Sequence, residues 1–362
     1  MRLGLTIRTL DGTVREVSVV DGHFRAAGEP VDREIDTSSW WAVPGLADCH
    51  AHLGSGGAND DDRGPDAILE RTKANAWAQL EGGVFLVADK GSADNITLRV
   101  LDEPPARRPE LHMAGKMITN PGGYFPDFAT EVDEHELLDV VRQATGGGAT
   151  WVKLVGDWPR RGVGAIPNFT ETALHQAVDV AHRAGCRMAI HAAAPETSTM
   201  AVAAGVDSIE HGLFITPDDL ATLGQRGGAW VPTIAAMEAI RDMLGAESSG
   251  GRLFVDGLAN VRELLAGAPE VGVSVLAGTD IEVPHGGIAT EALKLAEYGM
   301  AASDVVRATT SAAYDYLGSD HSFEPGGHAD VLFFDTDPRD DISVLARPVL
   351  GLRHGEVVVG SL

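Results

Sequence analysis

Six residues in this sequence carry side chains that bind divalent metals or move protons, and each stands in or just after a short apolar run. His50 and His52 follow the run at 41–47, and Lys153 lies inside 150–155. His191 follows 187–190, His211 follows 208–209, and Asp280 follows 273–276. Residues two apart in a strand face the same way, so His50 and His52 can point into one space. Four imidazoles and a carboxylate form a nitrogen and oxygen set that suits zinc or a similar divalent ion. One histidine at a strand end is more often a satisfied core or surface side chain than a ligand; packing does not explain several at the same end of successive strands. Lys153 sits between Trp151, Val152, Leu154 and Val155, where burial disfavours its ammonium and makes the neutral amine accessible. The same lysine could instead pair with a carboxylate such as Asp157.

These residues need a scaffold that gathers strand ends. Short β-branched runs at 41–47, 84–88, 111–114, 150–155, 187–190, 208–209, 229–232 and 273–276 alternate with helix-like stretches such as 66–81, 134–145, 171–184 and 217–225. Eight strands each followed by a helix predict an α/β fold, the (β/α)8 or TIM-like barrel, whose chemistry sits at the C-terminal strand ends. A doubly wound open sheet lacks support, because no Gly-x-Gly-x-x-Gly turn follows the first strand. Residues 1–43 alternate polar and apolar around Asp11-Gly12 and Asp21-Gly22, and residues 323–362 alternate likewise. Neither piece could bury its apolar face alone, so the two are expected to pair as one composite β-domain beside a barrel at 44–322.

Composition narrows the function. With 53 acidic against 28 basic residues and a net charge of −25, the chain is a poor partner for nucleic acid. Two cysteines, Cys49 and Cys186, are too few for a disulfide framework and read as free thiols. The first ten residues lack the apolar core of a signal peptide, and no run approaches the ~20 apolar residues of a membrane span. A cytoplasmic protein acting on a small molecule is expected, with no membrane partner; a homo-oligomer is compatible with the sequence.

Four motifs carry a resemblance. Val43-Pro44-Gly45-Leu46-Ala47-Asp48-Cys49-His50-Ala51-His52-Leu53 resembles the opening signature of the amidohydrolase superfamily. Gly205-Val206-Asp207-Ser208-Ile209-Glu210-His211-Gly212 and Ala277-Gly278-Thr279-Asp280 resemble its sixth- and eighth-strand motifs, and Glu324-Pro325-Gly326-Gly327-His328-Ala329-Asp330-Val331 its return into the β-domain. The pattern is most similar to the imidazolonepropionase-like and Xaa-Pro dipeptidase (prolidase) branch. The resemblance implies two divalent ions, zinc or similar: one held by His50, His52 and Asp280, the other by His191 and His211. A CO2-derived carbamate on Lys153 would bridge them. It further implies cleavage of an amide or peptide-like C–N bond of a small molecule by metal-activated hydroxide, with Asp280 moving the proton.

Tyr124 lies after the third strand, where many relatives have a histidine that holds substrate; its hydroxyl could donate to an oxyanion. His285, just beyond Asp280, could line the site or brace its loop. Arg160 and Arg161 could bind a substrate carboxylate or be solvated. Specificity is expected from the loops at 54–66, 120–130, 156–168 and 282–289. A mononuclear deaminase or cyclic-amidine hydrolase on the same barrel is the alternative, but no glutamate follows His191 or His211 closely enough to act as its proton shuttle. A non-catalytic binding or assembly subunit is a third reading, and such descendants typically lose ligands.

Overall fold

The structure, a computed structural model, describes residues 1–56, 64–160 and 164–362. Among them, eight parallel strands alternate with helices: Leu46–Ala51, Val84–Asp89, Glu110–Met113, Trp151–Val155, Arg187–Ala192, Ser208–His211, Ala229–Val231 and Ser274–Val275. The first three pair in order, as do the last five. Backbone bonds join the two groups: Thr150 N donates to Met113 O at 2.9 Å, and Cys49 N donates to Ala277 O at 2.8 Å. The first strand thereby meets the last, and the sheet is a (β/α)8 barrel.

Helix boundaries follow local chemistry. Thr216 and Asp219 form a reciprocal capping box ahead of Pro217–Gln225, with proline in the first turn, where its missing N–H costs nothing. The Thr170 hydroxyl accepts Ala173 N at 3.2 Å and starts Glu171–Arg183. The barrel's floor is filled by Trp151 among small residues including Ala47, Cys49, Ala88, Ala189 and Ala229. Trp151 is two residues from Lys153 and so faces the same interior, with the lysine one layer nearer the mouth.

One local expectation changes, and two connections carry strands of their own. The run at 41–47 is not one strand. Pro44-Gly45 divides it, Trp41–Val43 pairing antiparallel with Val331–Phe334 while Leu46–Ala51 enters the barrel. Gly45 is required there, since a Cβ would lie 2.2 Å from that of Phe85. The third strand breaks at Gly115, whose φ of 66° lies in the left-handed region, and resumes as Met117–Thr119 beside the fourth strand. The loop after the fourth strand carries an antiparallel pair, Asp157–Arg160 with Gly164–Pro167.

The two chain ends form a pair of four-stranded sheets. Leu3, Leu5, Ile7 and Val19 from one end pack with Val331, Phe333, Leu350 and Leu352 from the other. Among the described residues no helix is long and apolar enough to cross a membrane.

Candidate metal centre at the barrel mouth

Parallel register sets the layers of the mouth. Val155 pairs with His191 and His191 with Glu210, so His191 and Glu210 share a level and a facing, with Lys153 two residues below Val155. Simple alternation would then turn His211 away from the interior. Its φ of 65° breaks the alternation, and Trp230 Nε1 donates to its carbonyl at 2.9 Å. Gly212 follows with φ 57°, and a Cβ there would meet Trp230 Nε1 at 2.6 Å. The Glu210-His211-Gly212 turn brings a carboxylate and an imidazole from adjacent positions to one buried place.

Two of the four rings have one nitrogen occupied by a hydrogen-bond neighbour. His52 Nδ1 donates to Gly91 O at 2.7 Å. The Thr233 hydroxyl donates to Pro232 O, so its oxygen accepts the proton of His211 Nδ1 at 2.6 Å. His50 Nδ1 lies 2.7 Å from Glu210 Oε2. The hydrogen bonds of His52 and His211 set their tautomers and leave Nε2 of each with a free lone pair, whereas His50 Nδ1 and Glu210 Oε2, though close, are not aligned as a hydrogen bond. In His191, Nε2 is 3.7 Å from Asp157 Oδ1, too far for a hydrogen bond, and is buried without a partner. The rings of His191 and His211 lie 4.5 Å apart, and those of His50 and His211 5.1 Å apart.

Asp280 closes the set. Its N donates to His50 O at 2.6 Å, and its Oδ1 is 3.5 Å from His52 Nε2 and 3.8 Å from His50 Nε2. One ligand atom each from His50, His211 and Asp280 falls within 4.8 Å of the others. Lys153 Nζ and Asp280 Oδ1 are buried without a hydrogen-bond partner. Orphaned buried polar atoms are costly. Here they stand beside four neutral imidazoles, so the donor set fits divalent cations.

Burial governs the protonation states. It lowers His50 and His211 well below their ordinary range and His191 to about 3, with the Lys153 charge adding to the effect. Burial lowers Lys153 to about 8 and raises Asp280 to about 6. Lys153 and Asp157 are therefore not joined as an ordinary ion pair; Asp157 spends its Oδ2 on Ala193 N and Ala194 N, each at 2.9 Å.

Tyr124 lies with its ring 6.0 Å from that of His191 and 4.6 Å from that of Trp158, in the wall of the mouth. His285 accepts at Nδ1 from Gln79 Nε2 at 3.3 Å, and Gln79 also donates to Asp48 at 3.0 Å. Arg160 is neither solvated nor free: its Nη2 donates to Asn120 at 2.6 Å and Asn168 at 2.7 Å. Arg161, and 57–63 within the loop at 54–66, lie outside the described residues. A cavity of about 520 Å³ opens beside His52, walled by Tyr124, Met117, Phe128, Ile68 and Arg71.

Three buried groups at the site received no role from sequence reasoning. Glu210 contacts His50, takes the Lys90 ammonium at 3.0 Å and accepts the Ser208 hydroxyl at 2.6 Å. Lys90 Nζ lies 4.2 Å from the centre of the Trp151 ring. Asp48 accepts His50 N and Thr279 N, bracing the first strand against the last. The signal for Glu210 was its place next to His211 in a strand otherwise apolar or small.

A (β/α)8 barrel with imidazoles, a lysine and an aspartate at its mouth, flanked by a β-domain from both chain ends, defines the amidohydrolase type of protein. Residues 41–358 match the amidohydrolase family, and the chain belongs to it. An uncharacterized protein of Mycobacterium tuberculosis is 33% identical over 359 residues, covering 95% of this chain and 92% of the relative. The crystal structure of a Xaa-Pro dipeptidase with methionine in its active site superposes with a TM-score of 0.82 at 23% identity, over 99% of both chains. The crystal structure of Aspergillus niger ochratoxinase does so at 0.83 and 17% identity, over 99% of this chain and 96% of that one. At these identities the two structures bear on the fold.

Proposed function

We propose that the protein is a binuclear metal-dependent hydrolase of an amide or peptide-like C–N bond in a small molecule. The observation that carries this reading is the gathering of four buried imidazoles, Asp280 and an unpartnered Lys153 in one mouth, with ligand atoms of His50, His211 and Asp280 within 4.8 Å of one another. His50, His52 and Asp280 would hold one ion and His191 and His211 the other. The Lys153 amine would take up CO2, forming a C–N bond and losing one proton, and so supply an anionic carboxylate to the ligand set. Ions held there, zinc or similar, supply Lewis acidity and a water acidic enough to ionise near neutral pH.

The chain's own groups do the rest. Asp280, with Oδ1 3.5 Å from His52 Nε2 in the buried mouth, is the carboxylate placed to take a proton from water and return it to the leaving amine. Burial and the Asp280 charge raise the Tyr124 pKa, so its hydroxyl stays protonated and can donate to an oxyanion. Apolar walls at Ile68, Met117 and Phe128 suit an apolar acyl or ring substituent. His285 acts through Gln79 and Asp48 on the placement of His50.

The test is a screen of N-acyl amino acids, Xaa-Pro dipeptides and cyclic ureides with metal-replete protein, alongside elemental analysis. Close to two metal equivalents per chain and paired amine and carboxylate products are expected. One equivalent, with ammonia released from an amidine or aminated ring, would replace this reading with a mononuclear deaminase.

A further inference from the structure

The strand Ala229–Val231 runs out through Pro232 into Thr233, and Thr233 holds His211. Its hydroxyl donates to Pro232 O at 2.8 Å and accepts the His211 Nδ1 proton at 2.6 Å, so this one oxygen fixes one nitrogen of the imidazole. Thr233 itself occupies an unfavourable conformation. Its φ and ψ, both 48°, are left-handed, which a β-branched residue rarely adopts and which persists only where the surroundings impose it.

The constraint comes from another element. Ile234 N and Ala235 N, the first two amides of the helix Ile234–Leu244, donate to Glu291 Oε1 at 2.7 Å and Oε2 at 2.9 Å. A helix start is commonly capped by the side chain of the residue just before it. Here the Thr233 side chain makes no cap bond, because its hydroxyl is taken by Pro232 and His211, and Glu291 caps in its place. Glu291 stands in the helix Ala289–Glu297, which follows Asp280, and it is wholly buried. Both of its oxygens go to this one turn. The clamp therefore fixes the two residues after Thr233, and with them the place of the Thr233 hydroxyl against the His211 ring.

We infer that Glu291 is a positioning residue for the metal centre: by clamping Ile234 and Ala235 it holds Thr233 in its left-handed turn, and Thr233 in turn keeps the His211 imidazole in place with the proton on Nδ1 and the lone pair on Nε2. Without the clamp two buried amides are left unmet and the strained turn is free to relax, so the ring loses its partner. Which ion responds rests on the binuclear reading above, in which His191 and His211 hold one of the two; the clamp itself does not depend on that reading.

The experiment compares the full-length protein with Glu291→Met, which keeps the reach of the side chain without an acceptor, Glu291→Gln, which keeps one acceptor, and Thr233→Val, which removes the hydroxyl. Circular dichroism verifies the fold of each. Zinc titrated against a chromophoric chelator should show one equivalent weakened by about 10–100-fold in Glu291→Met and in Thr233→Val, and by less in Glu291→Gln. The double variant Glu291→Met/Thr233→Val should bind no more weakly than the worse single variant, because both changes act on one ring along one path. In the metal-free protein the His211 Nδ1 proton should give a downfield NMR resonance that is lost in Thr233→Val and shifted in both Glu291 variants, a readout that holds whether the mouth takes two ions, one or none. If Glu291→Met does not fold, Glu291→Gln carries the same measurements. A single zinc equivalent in the wild type, with the resonance still responding to Glu291, would remove the binuclear reading and leave the positioning role intact. A lower thermal midpoint in the Glu291 variants, with zinc affinity and the His211 resonance at wild-type values, would overturn the inference and leave Glu291 as a helix cap alone.

Discussion

Nδ1 of His50 and Oε2 of Glu210 meet at 2.7 Å in a wholly buried contact, while the other carboxylate oxygen of Glu210 holds the Lys90 ammonium at 3.0 Å. Burial works to raise the Glu210 pKa, but Lys90, Lys153 and the Ser208 hydroxyl together keep it below the ordinary value. Glu210 is therefore a carboxylate at neutral pH, and its charge lies against the His50 ring although the two atoms are not aligned as a hydrogen bond. Removing such a neighbour of a metal ligand typically costs about 10–100-fold in metal affinity or activity. Glu210→Gln should lose that much, read as metal retained after dialysis against a chelator and as kcat/KM. Wild-type values for both would mean that Glu210 serves only to neutralise Lys90.

Asp280→Asn removes the proposed base and keeps a side chain of the same shape. Proton transfer by a positioned group contributes about 10²–10⁴ in rate. Turnover on the true substrate should fall by at least ~10², with the fold and most of the metal retained. A variant that keeps more than about a tenth of wild-type kcat would exclude Asp280 from proton transfer.

Glu291 offers a pH test away from the metal centre. It is fully buried and accepts Ile234 N at 2.7 Å and Ala235 N at 2.9 Å, at the start of the helix Ile234–Leu244. Burial raises its pKa from 4.5 to about 8. The folded state then binds a proton that the unfolded state releases above pH 4.5, so this group's stabilising contribution is complete below that value. It declines as pH rises toward 8. Between pH 5 and 8 the urea midpoint of the wild type should fall more steeply than that of Glu291→Gln, whose side chain stays neutral. Parallel pH profiles for the two would show that Glu291 is already ionised in the folded protein.

The alternation of apolar runs with helical spacing made the barrel legible, because each strand needs a buried run and helices such as Glu171–Arg183 and Pro217–Gln225 begin at a capping threonine. His50, His52, His191, His211 and Asp280 were visible as candidates because metal-binding side chains at the ends of such runs have no packing role. Glu210 was less legible. Alternation allows only one of two adjacent residues to face inward, and the left-handed φ of His211 that lets both do so is a backbone property with no residue pattern of its own beyond Gly212. The pinning of Arg160 by Asn120 and Asn168 is tertiary, formed between loops whose approach no local pattern announces. The split at Pro44-Gly45 had a signal, the proline, that continuous hydrophobicity on both sides obscured.

Lys153 provides the last and most discriminating prediction. Its ammonium would be buried beside four imidazoles that burial keeps neutral, with Nζ lacking a hydrogen-bond partner and Lys90 also opposing its charge. A pKa near 8 leaves an appreciable fraction of neutral amine at pH 7, the form that reacts with CO2. Two dications held close together in a low-dielectric mouth repel strongly, and neutral imidazoles with one aspartate offset little of this. A carbamate on Lys153 would turn a cation into an anion within the proposed ligand set and offset that repulsion. Lys153→Ala should therefore lose one or both metal equivalents, and acetate or propionate should restore part of the activity by occupying the vacated place. Lys153→Arg should not recover, because a guanidinium stays protonated and cannot take up CO2. An intact-mass increase of one CO2 on the metal-loaded wild type, absent from both variants, is the direct measurement. An unmodified lysine in a chain that nonetheless holds two metals would require a different bridge.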